Sequence, residues 1–133
     1  MNILLFLTPK KEVSFLYDDY SIRQAIEKME YHRYSAIPII DRSGKYIGTL
    51  TEGDVLWYLK NSRNLNLENA EKDKMTSIPR YHDNKAVNAS CDLQDIFKTA
   101  LDQNFIPVVD DNNIFIGIIT RKNIFNYLTT KNK

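Results

Sequence analysis

"GTLTEGDVLWYL", Gly48 to Leu59, is written a second time as "GIITRKNIFNYL", Gly117 to Leu128. The glycine, the threonine and the Tyr-Leu ending are kept, while Glu52 and Asp54 give way to Arg121 and Asn123. Read outward, "AIPIIDRSGKYIGTLTEGDVLWYL" (Ala36–Leu59) lies over "FIPVVDDNNIFIGIITRKNIFNYL" (Phe105–Leu128) without a gap. Pro38 meets Pro107, Asp41 meets Asp110, and Tyr58 meets Tyr127. Self-similarity at a fixed offset marks two copies of one supersecondary unit, each of which needs a neighbour to bury its apolar face.

Each copy has the same plan. Ser21 followed by Gln24 reads as a capping box, and Ile22, Ala25, Ile26 and Met29 follow at helical spacing. In the second copy Asp92 and Asp95 open the helix, and Leu93, Ile96, Phe97, Ala100 and Leu101 supply its apolar face. Apolar runs at Ala36–Ile40 and Ile106–Val109 suit buried strands. "DRSG" and "DDNN" are hairpin turns, Tyr46–Leu50 and Phe115–Ile119 the return strands, and Glu52–Leu59 and Arg121–Leu128 the closing helices. The unit is therefore helix, strand, strand, helix, with room for a short extended entry segment, and two units packed sheet to sheet would share one core. "FLTPKKEV" and "KMTSIPRY" echo each other as lead-in segments. The division this suggests is a first unit over 1–62, a polar linker over 63–74, and a second unit over 75–133.

The bulk numbers agree with an ordinary globular chain: 43% hydrophobic and 26% charged residues over 133 positions. Eighteen basic against 17 acidic residues leave a net charge of +1, which argues against a nucleic-acid partner. "ILLFL" is too short to span a bilayer, so no membrane association is expected. The single Cys91 excludes an internal disulfide and fits a reducing, cytoplasmic setting. His32 and His82 have no acid or cysteine at ligand spacing, so no metal is expected. No nucleophile-base set is visible, and the chain is read as not an enzyme.

The repeated stretch invites two readings. As structure, Thr51 is a helix N-cap with Asp54 as its N3 acid, and Thr120 caps the other helix. As function, a helix start offers free N–H groups and a positive dipole end to an anion. Arg121 and Lys122 oppose the macrodipole of their own helix by a few tenths of a kcal/mol each. They make sense there if a phosphate sits beside them; otherwise both simply point to solvent.

With these residues in place, the chain resembles the CBS domain pair, or Bateman module. The likeness lies in "SAIPIIDRSGKYIGTLTEGD" and "FIPVVDDNNIFIGIITRKN", which carry the family's apolar-Pro-apolar strand, Asp-opened turn and Gly-apolar-apolar-Thr-x-x-Asp run. "KEVSFL", "YSAIPIID", "TSIPRYH" and "GIITRK" are similar to the short stand-alone CBS-pair proteins of Gram-positive bacteria that bind cyclic di-AMP. "LTEGD" departs from these and keeps the ordinary nucleotide-binding form.

The resemblance implies an α+β fold of tandem CBS domains, two pseudo-symmetric units packed through their sheets. It implies a regulatory signalling module that senses an adenine nucleotide in the cleft between the units, with cyclic di-AMP favoured over AMP, ADP or ATP. Such a module modulates an unidentified target protein and forms a homodimer. The nucleotide is a regulatory ligand, and no cofactor is expected. The alternative is a dimeric interaction module with no physiological nucleotide. Carried over residue by residue, one pocket takes Val13, Ser14, Tyr34, Ser35, Ala36, Pro38, Thr120, Arg121, Lys122 and Asn123. A second takes Thr51, Asp54, Ser77, Ile78, Pro79, Phe105 and Pro107. Asp54 suits a ribose diol, whereas Asn123 beside Arg121 and Lys122 suits a more phosphate-rich ligand.

Overall fold

A computed structural model of the chain describes residues 3–62 and 69–131, so residues 63–68 of the expected linker lie outside the described residues. A short strand β1 (Thr8–Pro9) comes first. The first repeat follows as β2 (Leu16–Tyr17), α1 (Ile22–His32), β3 (Ala36–Ile40), β4 (Tyr46–Thr51) and α2 (Glu52–Asn61). The second is β5 (Val87–Asn88), α3 (Leu93–Ala100), β6 (Phe105–Val109), β7 (Phe115–Thr120) and α4 (Arg121–Lys131). The elements expected from the repeat are present, with the two closing helices running longer. The architecture is mixed α+β, with a three-stranded sheet β2-β3-β4 and a four-stranded sheet β1-β7-β6-β5. Strands β2 and β5 are the short extended entry segments ahead of each unit's helix, and at two residues each they are too short for alternation to mark their bounds in sequence. Each runs parallel to the strand after its helix, with Leu16 opposite Ile39 and Val87 opposite Val108.

The helix starts follow local chemistry. Ser21 with Gln24, Thr51 with Asp54, and Asp92 with Asp95 each form a reciprocal capping box. The turns use one device twice. Asp41 Oδ1 accepts from the Ser43 N–H, and Asp110 Oδ1 accepts from the Asn112 and Ile114 N–H groups. Gly44 and Asn113, at equivalent positions, take left-handed backbone (φ 94° and 65°), which these two residue types tolerate best. The α3 face differs from expectation at Leu101. The helix ends at Ala100, so Leu101 leaves the apolar stripe and is exposed.

The chain divides into two compact units that do not follow sequence order. The leading unit comprises Ser14–Ser43 and Ile47–Asp83; the trailing unit comprises Met1–Val13, Gly44–Tyr46 and Asn84–Lys133. In the leading unit Leu16, Ile22, Ala25, Ile37, Ile39 and Leu50 pack with Ala70, Met75 and Ile78, so the second lead-in segment enters the first repeat's core. In the trailing unit Ile3 and Phe6 pack with Ile96, Ile106, Val108, Ile119 and Ile124. Each repeat thus receives the other's lead-in segment.

This exchange explains the conserved glycine pair within the chain. A Cβ on Gly117 would fall against the Thr8 carbonyl, where β1 pairs antiparallel with β7. A Cβ on Gly48 would fall against the Asp83 carboxylate. In the trailing unit a strand closes the edge beyond β7. In the leading unit a side chain does so: Asp83 Oδ1 accepts from the Thr49 N–H at 2.9 Å and from Arg80 Nε at 2.7 Å. Either device satisfies donors that an open edge leaves bare. No described helix is long and apolar enough to cross a membrane.

Candidate functional site

The two helix starts that follow the repeated glycine hold different groups in the same place. At α2, Thr51 is extended (φ −110°, ψ 159°) and its hydroxyl accepts from the Asp54 N–H, while Asp54 Oδ2 accepts from the Thr51 N–H. The other oxygen, Asp54 Oδ1, accepts from the Tyr81 N–H at 3.0 Å. Asp54 is only 7% exposed. A buried carboxylate is retained where several N–H groups converge on it. A carboxylate has about four lone-pair sites, so these two bonds do not exhaust its accepting capacity. Asp54 lies on the wall of a cavity of about 490 Å³ with Trp57, Tyr58, Asn61, Pro79, Arg80 and Tyr81.

At α4, Thr120 Oγ1 accepts from the Asn123 N–H at 3.1 Å. Asn123 Nδ2 donates to the Phe6 carbonyl and to Thr8 Oγ1, each at 2.9 Å. Asn123 and Tyr127 line a cavity of about 430 Å³ with Phe6, Thr8, Glu12 and Asn126. The exchange of Asp54 for Asn123 therefore has a structural cause. One lead-in segment presents an N–H and meets an acceptor; the other presents a carbonyl and meets a donor. Asp54→Asn is expected to cost about 1–2 kcal/mol, because the amide nitrogen must face one of two N–H donors. Denaturant unfolding with an unchanged m-value checks this.

Arg121 is engaged within the trailing unit. Its Nε donates to the Ala100 carbonyl at 2.9 Å, Nη2 to the Leu101 carbonyl at 3.3 Å and Nη1 to Asn104 Oδ1 at 3.2 Å. A guanidinium on the last carbonyls of α3 is a favourable C-terminal cap. Lys122 is exposed.

Of the first expected pocket, Ser14, Tyr34, Ser35, Ala36 and Pro38 belong to the leading unit, and Val13 and Thr120–Asn123 to the trailing unit. The Ser35 carbonyl accepts from the Glu52 N–H at 2.9 Å, joining the pre-strand stretch to the start of α2. Of the second pocket, Thr51, Asp54, Ser77, Ile78 and Pro79 lie in the leading unit, and Phe105 and Pro107 in the trailing unit on β6. Ile78 is 2% exposed and serves that unit's core.

Sequence reading gave Arg80 and Tyr81 no place in a pocket and weighed His32 only as a metal ligand. Arg80 and Tyr81 sit in "KMTSIPRY", and aligning that lead-in segment against the opposite repeat would have singled them out. His32 comes beside Ser14 only through the fold. Burial pushes the Asp83 carboxyl up, but Arg80 and the Thr49 N–H outweigh this and leave it below the usual carboxylate range. Burial first, then the Asp95 and Asp92 carboxylates, push the Cys91 thiol up, which keeps it protonated and a poor nucleophile.

Comparison with known proteins agrees with the fold. The family model described as "CBS domain" matches residues 7–61 and again 75–130. The structure of CbpB in complex with c-di-AMP is similar, with a TM-score of 0.89 and 24% identity over 98% of this chain and 85% of that one. The structure of CBSX2 in complex with AMP gives a TM-score of 0.77 and 22% identity over 99% of this chain and 98% of that one. Homoserine O-acetyltransferase of Methanococcus vannielii is 26% identical over 90% of this chain, which spans only 23% of that enzyme's length. With the repeat, the matched segments and the fold in agreement, this chain belongs to the CBS domain family and carries two such domains in tandem.

Proposed function

We propose that this CBS pair is a regulatory module that binds an adenine nucleotide, cyclic di-AMP in preference to AMP, ADP or ATP, and passes its occupancy to a target protein. The observation that carries this reading is the paired helix start. At each one a hydroxyl-capped turn meets the opposite repeat's lead-in segment beside a cavity of about 490 or 430 Å³. Those volumes lie within the roughly 300–1,000 Å³ of small-molecule sites. CbpB, similar in fold, is described with c-di-AMP, and CBSX2 with AMP.

The nucleotide's base is assigned to Val13, Ser14, Tyr34, Ser35, Ala36 and Pro38, and its phosphates to Thr120, Lys122 and Asn123. Arg121, whose fork holds α3, contributes its charge. Thr51 and Asp54 with Ser77, Ile78, Pro79, Phe105 and Pro107 form the second, ribose-directed set. Coupling to the target is reciprocal, so the target must change nucleotide affinity by the same factor.

A thermal-shift panel of cyclic di-AMP, AMP, ADP, ATP and GMP tests the reading. A ligand at a hundredfold its Kd stabilises by about 2.7 kcal/mol, a rise of several degrees. No shift with any adenine nucleotide at millimolar concentration ends the proposal. Lys122→Ala is expected to weaken cyclic di-AMP binding about tenfold by calorimetry while leaving the melting temperature of the free protein unchanged. Unaltered affinity removes Lys122 from the site.

A second reading, a dimeric interaction module without nucleotide, is favoured by exposed Leu56 and Trp57 on α2 and Phe125 on α4. Sedimentation as a dimer together with a flat nucleotide panel would select it.

A further inference from the structure

Ser14 Oγ and His32 Nε2 lie 2.8 Å apart across 18 residues of sequence, both half-buried in the leading unit. The imidazole also stacks on Tyr34, with centroids 5.3 Å apart and planes at 22°. His32 therefore ties together two residues that sequence separates and that the nucleotide reading assigns to the base. A serine hydroxyl has one proton and two lone pairs, so its partner fixes what it offers on its other side. If Nε2 accepts, the Ser14 proton is spent on His32 and Oγ, with two free lone pairs, is left as an acceptor only. If Nε2 carries a proton, Oγ accepts from it and Ser14 turns outward as a donor.

We infer that His32, through an unprotonated Nε2, sets Ser14 as an acceptor that reads the 6-position of a bound purine. This rests on the nucleotide-binding reading and names its specificity device. An amine at the 6-position donates to Ser14, whereas a 6-oxo group brings oxygen lone pairs against it. A buried polar mismatch of that kind discriminates tenfold or more. Protonating His32 frees the Ser14 proton to donate while one lone pair can still accept, and so removes the preference. The titratable groups whose rings face the imidazole are Tyr31, edge-on at 4.9 Å, and Tyr34. Lys28, one turn back on α1, holds its ammonium over the rings of Phe15 and Tyr20. Glu30 and Arg33, which flank His32, line a groove with Ile26, Met29 and Tyr34.

Calorimetry with AMP and IMP on the full chain tests this, beside an ¹⁵N spectrum of the histidine ring in the free protein. The expected result is an AMP-over-IMP affinity ratio of about ten, falling toward one as the His32 resonance reports protonation. In His32→Phe, which keeps a ring on Tyr34 but frees the hydroxyl, the ratio is expected near one at every pH. A ratio indifferent to protonation and to His32→Phe overturns the inference. So does a neutral-state spectrum with the proton on Nε2, whatever binds. If neither nucleotide binds the wild-type protein, the nucleotide reading falls and takes this specificity device with it.

Discussion

Asn123→Asp is expected to destabilise the fold by about 2–4 kcal/mol although it changes one amide to one carboxylate. Asn123 Nδ2 donates to both the Phe6 carbonyl and Thr8 Oγ1. A carboxylate there faces the Phe6 oxygen as acceptor against acceptor. The Thr8 hydroxyl rescues part of the loss by rotating to donate. What remains is a lost hydrogen bond, an unsatisfied carbonyl and a half-buried charge that only the Thr8 hydroxyl serves in place of two acceptors. The melting temperature is expected to fall by about 8–15 °C.

The pH dependence of this variant has a definite sign. Its new carboxyl has a raised folded pKa, because the protonated form donates to Phe6 and the charged form cannot. The folded state then binds the proton more tightly than the unfolded state. The contribution is present below the unfolded pKa and is lost as pH rises through the folded value. The deficit relative to wild type should therefore shrink on acidification. A variant within 0.5 kcal/mol of wild type near neutral pH (roughly the scatter of surface substitutions) would show that this amide does not hold the lead-in segment.

Gly117→Ala is expected to cost about 3 kcal/mol or more. The added Cβ meets the Thr8 backbone carbonyl, with Pro9 Cα at 3.1 Å, and neither is the loose end of a side chain. Gly117 also has φ +154°, where an alanine is strained. Relief requires β1 to move off β7, which gives up the pairing of Thr8 with Ile118 and Pro9 with Gly117. Amide exchange should show faster opening at Ile118 and in the Ile3–Phe6 turn than in the leading unit. Gly48→Ala at the equivalent place presses on the Asp83 side chain rather than on backbone, so the clash is relieved by rotating that side chain off Thr49 and Arg80, and its cost should be smaller. Equal destabilisation by the two would contradict the difference between a strand-closed and a side-chain-closed edge.

The repeat made much of this legible in advance. Strands β3, β4, β6 and β7, their Asp-opened turns and the three capping boxes rest on interactions within a few residues of one another. Such local chemistry is present in the order of residues. Leu101 was misassigned for a related reason: spacing places a residue on a face but does not say where the helix stops. Arg121 was legible as an unusual cation in a first helical turn. Its bonds to Ala100 and Leu101 were not, because those carbonyls come within reach only after α3 and β7 have docked.

Order along the chain was thus enough for the duplicated unit, its element types and its membership of a family, because all three live in short-range pattern. It could not say that each repeat takes in the other's lead-in segment. That choice depends on apolar burial between residues fifty or more positions apart, such as Met75 with Ile22 and Phe6 with Ile119, and burial has no direction along the sequence. From the exchange follow the reason for an acid at 54 and an amide at 123 and the two ways of closing a sheet edge. Each is a match of donor to acceptor that exists only once distant backbone has been brought alongside.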